Sequence, residues 1–171
     1  AGMLNKSIRE TFFDLLVEEQ LRVGAIFFSM SEENLQKIYQ KDYVMVGSDS
    51  AVWDIEGPLG EGKPHPRGFG TFPRVLKKYV FEQKVLSLEQ VVRKMTGQPA
   101  AKLGLKDRGL IKEGYKADLV ILNKETVSDR ATYENPHQFP AGISHVMVNG
   151  RWAIRETIAT GNFPGKVILK N

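Results

Sequence analysis

The sequence predicts an α/β fold. Three observations carry that expectation: two continuous apolar runs of strand length, at residues 22–30 and 43–47; amphipathic helical patterns before and between them; and a change to turn-and-strand patterning after about residue 108. Neither run alternates polar and apolar residues, so each reads as a strand covered on both faces, as in a parallel sheet flanked by helices. A chain of 171 residues is long enough to bury a core of useful size.

Ser7 and Glu10 have the spacing of a capping box, in which hydroxyl and carboxylate each satisfy the other's backbone amide. Ile8, Phe12, Leu15 and Leu16 then recur at helical spacing, which predicts a helix over 8–20. "RVGAIFFSM", 22–30, is the first strand. Ser31 caps a second helix, "EENLQKIYQ", whose first turn holds acids where the helix dipole favours them. "YVMVG", 43–47, is the second strand, and a long loop over 50–75 follows. "FPRVLKKYVFEQ" reads as a helix with Pro73 near its start. Ser87 and Gln90 form another capping box before "LEQVVRKMTG", and Pro99 opens a short helix ending near Gly104. Beyond 108, "GLIKEGYKADLVILN" is a turn and a strand. "ISHVMVNGRWAIRE" is two strands joined at Asn149-Gly150, where both residues tolerate positive φ. "GKVILK" is expected to add a last strand.

Composition excludes several classes. With no cysteine, disulfides, thiolate zinc sites and cysteine nucleophiles are ruled out. No apolar run approaches the roughly 18 residues of a membrane span. The first residues lack a basic region followed by an apolar stretch, so a cytoplasmic chain without a signal peptide is expected. The net charge is +4, but lysines and arginines are interleaved with acids rather than clustered, which argues against a nucleic-acid partner.

Chemistry concentrates in two places. Asp49 lies two residues past an apolar strand, in Gly47-Ser48-Asp49-Ser50. Ligands of parallel α/β folds bind beyond the carboxyl ends of strands, so this acid is placed to hold a metal or take a proton from water. Asp and Ser also favour turns for purely local reasons, and a turn cap is the plainer reading. His65 and Arg67 stand in Pro64-His65-Pro66-Arg67, where prolines stiffen the backbone. Arg67 offers a planar fork that matches a carboxylate, or a surface ion pair. "GFGTFPR" lacks the GxxxxGK pattern of a phosphate loop. His137 falls in a loop, and His145 in a strand, where a structural role is expected. No close histidine pair is present.

Together "VGSDS", "PHPRGFGTFPRVLKKYV", "LSLEQVVRKMTGQPAAKLGLKDRGLIKEGYKADLVIL" and "RATYENPHQFPAGISHVMVNG" resemble the C-terminal part of the N-acyl-D-amino-acid deacylases, the D-aminoacylase branch of the amidohydrolase superfamily. The element from Gly109 to Val120 occurs across many amidohydrolases; the PHPR…GTFPR element is far more specific. The resemblance implies a zinc-dependent TIM barrel flanked by a small β-sandwich, hydrolysing N-acyl-D-amino acids to a carboxylate and a D-amino acid. It implies that Asp49 is the acid at the metal centre, which takes the proton from the attacking water and hands it to the leaving amine. Arg67 is implied as the clamp on the substrate's α-carboxylate, with Ser48 and His65 in support.

The chain also departs from that pattern. A complete barrel takes about 250 residues. The family's other metal ligands, histidines and a cysteine from earlier strands, have no counterpart here. The expectation is therefore a barrel's terminal portion over 1–107 and part of the sandwich over 108–171, inactive alone, with Asp49 the only candidate metal ligand and no zinc of its own. Cut barrel edges would drive self-association. The alternative is a non-catalytic relative acting as an oligomerisation or interaction module.

Overall fold

The computed structural model describes residues 1–25, 27 and 29–169. It divides into two compact units, 1–30 and 31–171.

The first unit is built on helix α1, Ile8–Glu18, and the Ser7–Glu10 capping box is formed. Glu10 N donates to Ser7 Oγ at 3.2 Å while Ser7 N donates to the Glu10 carboxylate at 3.0 Å. The helix stops where Gln20 and Leu21 turn left-handed. Its apolar side chains are largely uncovered: Ile8, Phe12, Phe13 and Val17 are all more than half exposed. The strand expected over 22–30 is absent from the described residues there; Ile26 and Phe28 of that run lie outside them.

The second unit carries the core. Helix α2, Glu32–Tyr39, is capped by Ser31, whose Oγ accepts from Asn34 N at 3.1 Å. The second expected strand, 43–47, does not form. A strand needs a neighbour, and here the Val46 amide instead donates to the Lys94 carbonyl at 3.3 Å. The loop expected over 50–75 is also shorter: a single 3₁₀ turn at Pro58–Gly60 interrupts it, and helix α3 begins at Arg67 and runs to Arg74. Pro73 lies inside α3 rather than at a helix start. Proline lacks the amide and crowds the carbonyl one turn back, and the helix widens at once into a π-helical stretch, Val75–Glu82. Helix α4, Leu88–Met95, opens on the Ser87–Gln90 capping box, and α5, Gly97–Leu103, ends on left-handed Gly104.

Val46, Val75, Leu76, Tyr79, Val80, Leu86, Val91 and Val127 form one buried cluster. Burying a valine such as Val91 contributes about 1.5–3 kcal/mol. Into this packing α4 sends a cation. Lys94 is only 4% exposed. Its ammonium donates to the carbonyls of Lys41 and Val44, the latter at 2.9 Å. Gln98 Nε2 adds a bond to the Asp42 carbonyl at 2.8 Å. Burial pulls the Lys94 pKa below the usual lysine value, with Asp42 opposing.

The sheet is antiparallel, in the order β1-β2-β3-β4: Leu119–Leu122, Ile143–Val148, Arg151–Arg155 and Ile158–Ala159. Asn149 and Gly150 turn the β2–β3 hairpin at φ 49° and 77°. Glu156 and Thr157 repeat that left-handed pair before β4, at φ 52° and 69°. The strand expected at "GKVILK" does not form over 165–169; Lys170 lies outside the described residues. Gly109, first glycine of the shared element, is required here: its φ is 84°, and a Cβ would stand 2.6 Å from that of Ala100. Helices and a sheet thus share one chain, so the α/β class holds, but no parallel sheet is found among the described residues. Nor is any of their helices long and apolar enough to cross a membrane.

Candidate active site

Asp49 sits in a left-handed turn at φ 49°. Aspartate tolerates that conformation better than most residues because its short side chain bonds locally. The turn follows directly on the segment held by Lys94, so Asp49 leaves a fixed stem. Across from it, α3 begins. Arg67 Nη1 lies 3.1 Å from Asp49 Oδ2. The two residues singled out in the sequence, 18 positions apart by their numbers, are therefore neighbours. Their pairing is solvent-accessible: the Asp49 side chain is 89% exposed and that of Arg67 45%. An ion pair so exposed is worth about 0–1 kcal/mol, so another carboxylate can displace Asp49 from the fork.

His65 has a role the sequence did not disclose. Its Nδ1 accepts the Arg67 amide at 3.0 Å from the residue before the N-cap, Pro66, whose own side chain makes no capping bond, so the ring satisfies one of the free amides of the first turn of α3. An accepting Nδ1 places the neutral ring's proton on Nε2, which lies 3.3 Å from the Tyr133 hydroxyl. The His65 and Tyr133 rings meet edge to face at 5.2 Å. Burial, and then the Arg67 cation, hold the His65 pKa below the ordinary 6.5. Ser48 is half-buried and makes no hydrogen bond with a described residue. It is not drawn into the pair.

A cleft of about 310 Å³ opens beside Arg67, lined among others by His65, Thr71, Arg74, Asp129 and Tyr133. Arg74 lies two turns along α3 and is held at 3.0 Å by Asp129, a largely buried partner, whereas the partner of Arg67 is exposed and more readily displaced. On the other flank, Trp53 Nε1 donates to Ser50 Oγ at 3.1 Å. Tyr133, Asp129 and Trp53 come from distant or irregular segments, and no local spacing in the sequence announced them. Of the remaining histidines, His145 lies in β2 against Trp152, with ring centroids 5.3 Å apart. His137 packs on Phe69 at 5.8 Å, with its Nε2 buried and without a described partner.

The donor set does not suit a resident zinc ion. A catalytic zinc takes roughly three protein ligands. Among the described residues no three His, Asp or Glu side chains gather in position to share one, and Asp49 stands alone with Arg67.

Comparison with known proteins identifies the family. The sequence profile of the Amidohydrolase family matches residues 22–154. N-acyl-D-glutamate deacylase of Alcaligenes xylosoxydans xylosoxydans is 42% identical over 86% of this chain, and the D-aminoacylase of the same organism is 42% identical over 91%. The chain spans only about three tenths of their length, 29% and 31%. Among solved structures, D-aminoacylase superposes with a TM-score of 0.75 at 43% identity, over 86% of this chain and 30% of that one. N-acyl-D-glutamate deacylase from Bordetella bronchiseptica, solved with zinc and a phosphonate mimic of the tetrahedral intermediate, gives 0.66 at 40% identity, over 74% and 25%. By the extent of these matches, the chain belongs to the amidohydrolase family.

Proposed function

We propose that these residues form the C-terminal portion of a zinc-dependent N-acyl-D-amino-acid deacylase. The observation that carries the reading is the 3.1 Å approach of Asp49 and Arg67. It supports a reading in which Asp49 transfers protons and Arg67, which lines the cleft, binds a carboxylate.

The reaction is hydrolysis of the amide between an acyl group and a D-amino acid. Water adds to the carbonyl carbon and the C–N bond breaks. Asp49 accepts the water proton and returns it to the leaving nitrogen. Arg67 binds the α-carboxylate through its two-pronged fork, which fixes the substrate's orientation as well as holding it. The Asp49 carboxylate now on that fork stands where the substrate's would sit. His65 holds the first turn of α3, and so the direction in which Arg67 leaves it. Asp49 is the one candidate metal ligand among the described residues, and in this reading the others come from outside them.

In this reading residues 1–107 are the end of the barrel and 108–171 part of the flanking sandwich. The runs at 22–30 and 43–47 become strands when neighbouring barrel strands supply hydrogen-bond partners. The isolated chain is inactive and cytoplasmic, and engages neither nucleic acid nor membrane. It self-associates, because side chains such as Phe163 and Val167 are 95% and 88% exposed. That apolar surface also favours the second reading, an interaction module without catalysis.

A chimaera decides between them. This chain replaces the matched segment of D-aminoacylase, and hydrolysis of N-acetyl-D-amino acids is followed. The chimaera should be active, with Asp49→Asn cutting kcat by about 10²–10⁴, the range for lost acid–base groups. Arg67→Met should act mainly on KM. A folded chimaera indifferent to both substitutions would favour the interaction module.

A further inference from the structure

Nothing in the ion pair itself explains why the Asp49 turn lies against the start of α3. The pair is exposed, and the residues between its members form an irregular loop. Two other contacts join the same segments. Trp53 folds back so that its indole Nε1 donates to Ser50 Oγ at 3.1 Å, tying the loop to the residue after Asp49. The same indole rests on Gly68, the residue after Arg67. A Cβ built on Gly68 would stand 2.8 Å from Trp53 Cδ1, 3.3 Å from its Nε1 and 3.1 Å from Ser50 Oγ. Only hydrogen fits at that position while the indole keeps its place.

We propose that Trp53 is a positioning residue of this site. Seated on Gly68 and bonded to Ser50, it locks the Asp49 turn to the first turn of α3 and so sets the spacing between carboxylate and guanidinium. The proposal deepens the deacylase reading and rests on it for its functional meaning. The contact itself is a property of this chain, with or without substrate. Trp53 is half-buried and stands outside the buried cluster and the side chains packed on it. Its loss therefore disturbs the spacing of the pair more than the fold.

The test needs no substrate, so the locking of the pair and the deacylase reading can fail separately. The side-chain NMR resonance of the Arg67 guanidinium, assigned by its disappearance in Arg67→Lys, reports its neighbour. In the native chain Asp49→Asn should move that resonance. In a Trp53→Ala or Gly68→Ala background the movement should shrink by about threefold or more, the signature of lost coupling. Trp53→Phe, which keeps a ring against Gly68, should retain more of it than Trp53→Ala. The dispersion of the amide spectrum reports folding independently. Should Trp53→Ala fail to fold, Gly68→Ala and Trp53→Phe still decide. The proposal is overturned if Asp49→Asn leaves the native resonance in place, if the coupling survives intact in Gly68→Ala, or if phenylalanine does no better than alanine. A merely structural tryptophan would lower the melting temperature and leave the coupling unchanged.

Discussion

Residues 41–46 and residues 47–66 are consecutive, yet they are held by different means. The first stretch is gripped through its backbone. Lys94 takes two of its carbonyls, Gln98 a third, and the Val46 amide reaches the Lys94 carbonyl. Val46 itself belongs to the buried cluster. The second stretch is mostly exposed and meets α3 through side chains: Trp53 seats on Gly68, His65 takes the Arg67 amide, and Asp49 pairs with Arg67 in the open. Backbone anchoring with burial resists exchange, whereas an exposed ion pair is easily traded. In the proposed deacylase, an arginine that passes to a substrate carboxylate would be well served by the second kind, standing on the first.

The comparison breaks if the anchored stretch proves soft. Lys94→Met should show the largest effect. It removes the donor from two carbonyls that have no ready substitute, each costing about 1–3 kcal/mol when left buried. A loss of about 3 kcal/mol is expected in urea unfolding, with a melting temperature lower by roughly 6–12 °C for a chain of this size. A change below about 1 kcal/mol would mean that the stretch is held by something else. Val91→Ala comes next. The side chain has no exposed surface, and its truncation should cost about 2 kcal/mol from transfer and cavity terms together.

The exchangeable stretch should respond far less. Asp49→Asn keeps the left-handed turn, which asparagine also tolerates, and removes only an exposed ion pair. Its effect on stability should stay within about 1 kcal/mol. A loss as large as that of Lys94→Met would show the pair to be a structural clasp and would tell against its release to a substrate.

How much of this was legible beforehand follows the range of the interactions. The capping boxes at Ser7 and Ser87 and the Asn149-Gly150 turn are contacts within four residues, and the sequence shows them directly. The β4 hairpin escaped notice because Glu156 and Thr157 adopt its left-handed turn without the usual asparagine or glycine. The start of α3 lies earlier than its sequence signals, since its N-cap is a proline, the bond to its first amide comes from a histidine, and its turns hold two glycines and a proline, all poor signals for a helix. Residues 43–47 have a strand's composition, but composition says nothing of whether a partner strand is present, and Lys94 took the free carbonyls instead. Asp49 and Arg67 were picked out individually by position and chemistry. That they face one another, and that Trp53 and Tyr133 flank them, depends on contacts across tens of residues that no periodicity encodes.

The smallest expected effect concerns His65, and it sharpens the comparison because that ring belongs to the exchangeable side. Its folded pKa lies below 6.5, through burial first and the Arg67 cation second. Just below pH 6.5 the unfolded chain therefore binds a proton that the folded chain refuses. Stability should fall as the pH drops through that window and recover as it rises past 6.5, with a slope no greater than about 1.4 kcal/mol per pH unit for one proton. Protonation also removes the Nδ1 acceptor of the Arg67 amide, so the loss should appear as fraying at Arg67 before global unfolding. His65→Gln should flatten the pH dependence just below 6.5, and amide exchange at Arg67 should become pH-independent apart from its intrinsic chemistry. An unchanged slope in that variant would assign the acid sensitivity to another group, and with it would go the picture of a neutral histidine holding the arginine's helix in place.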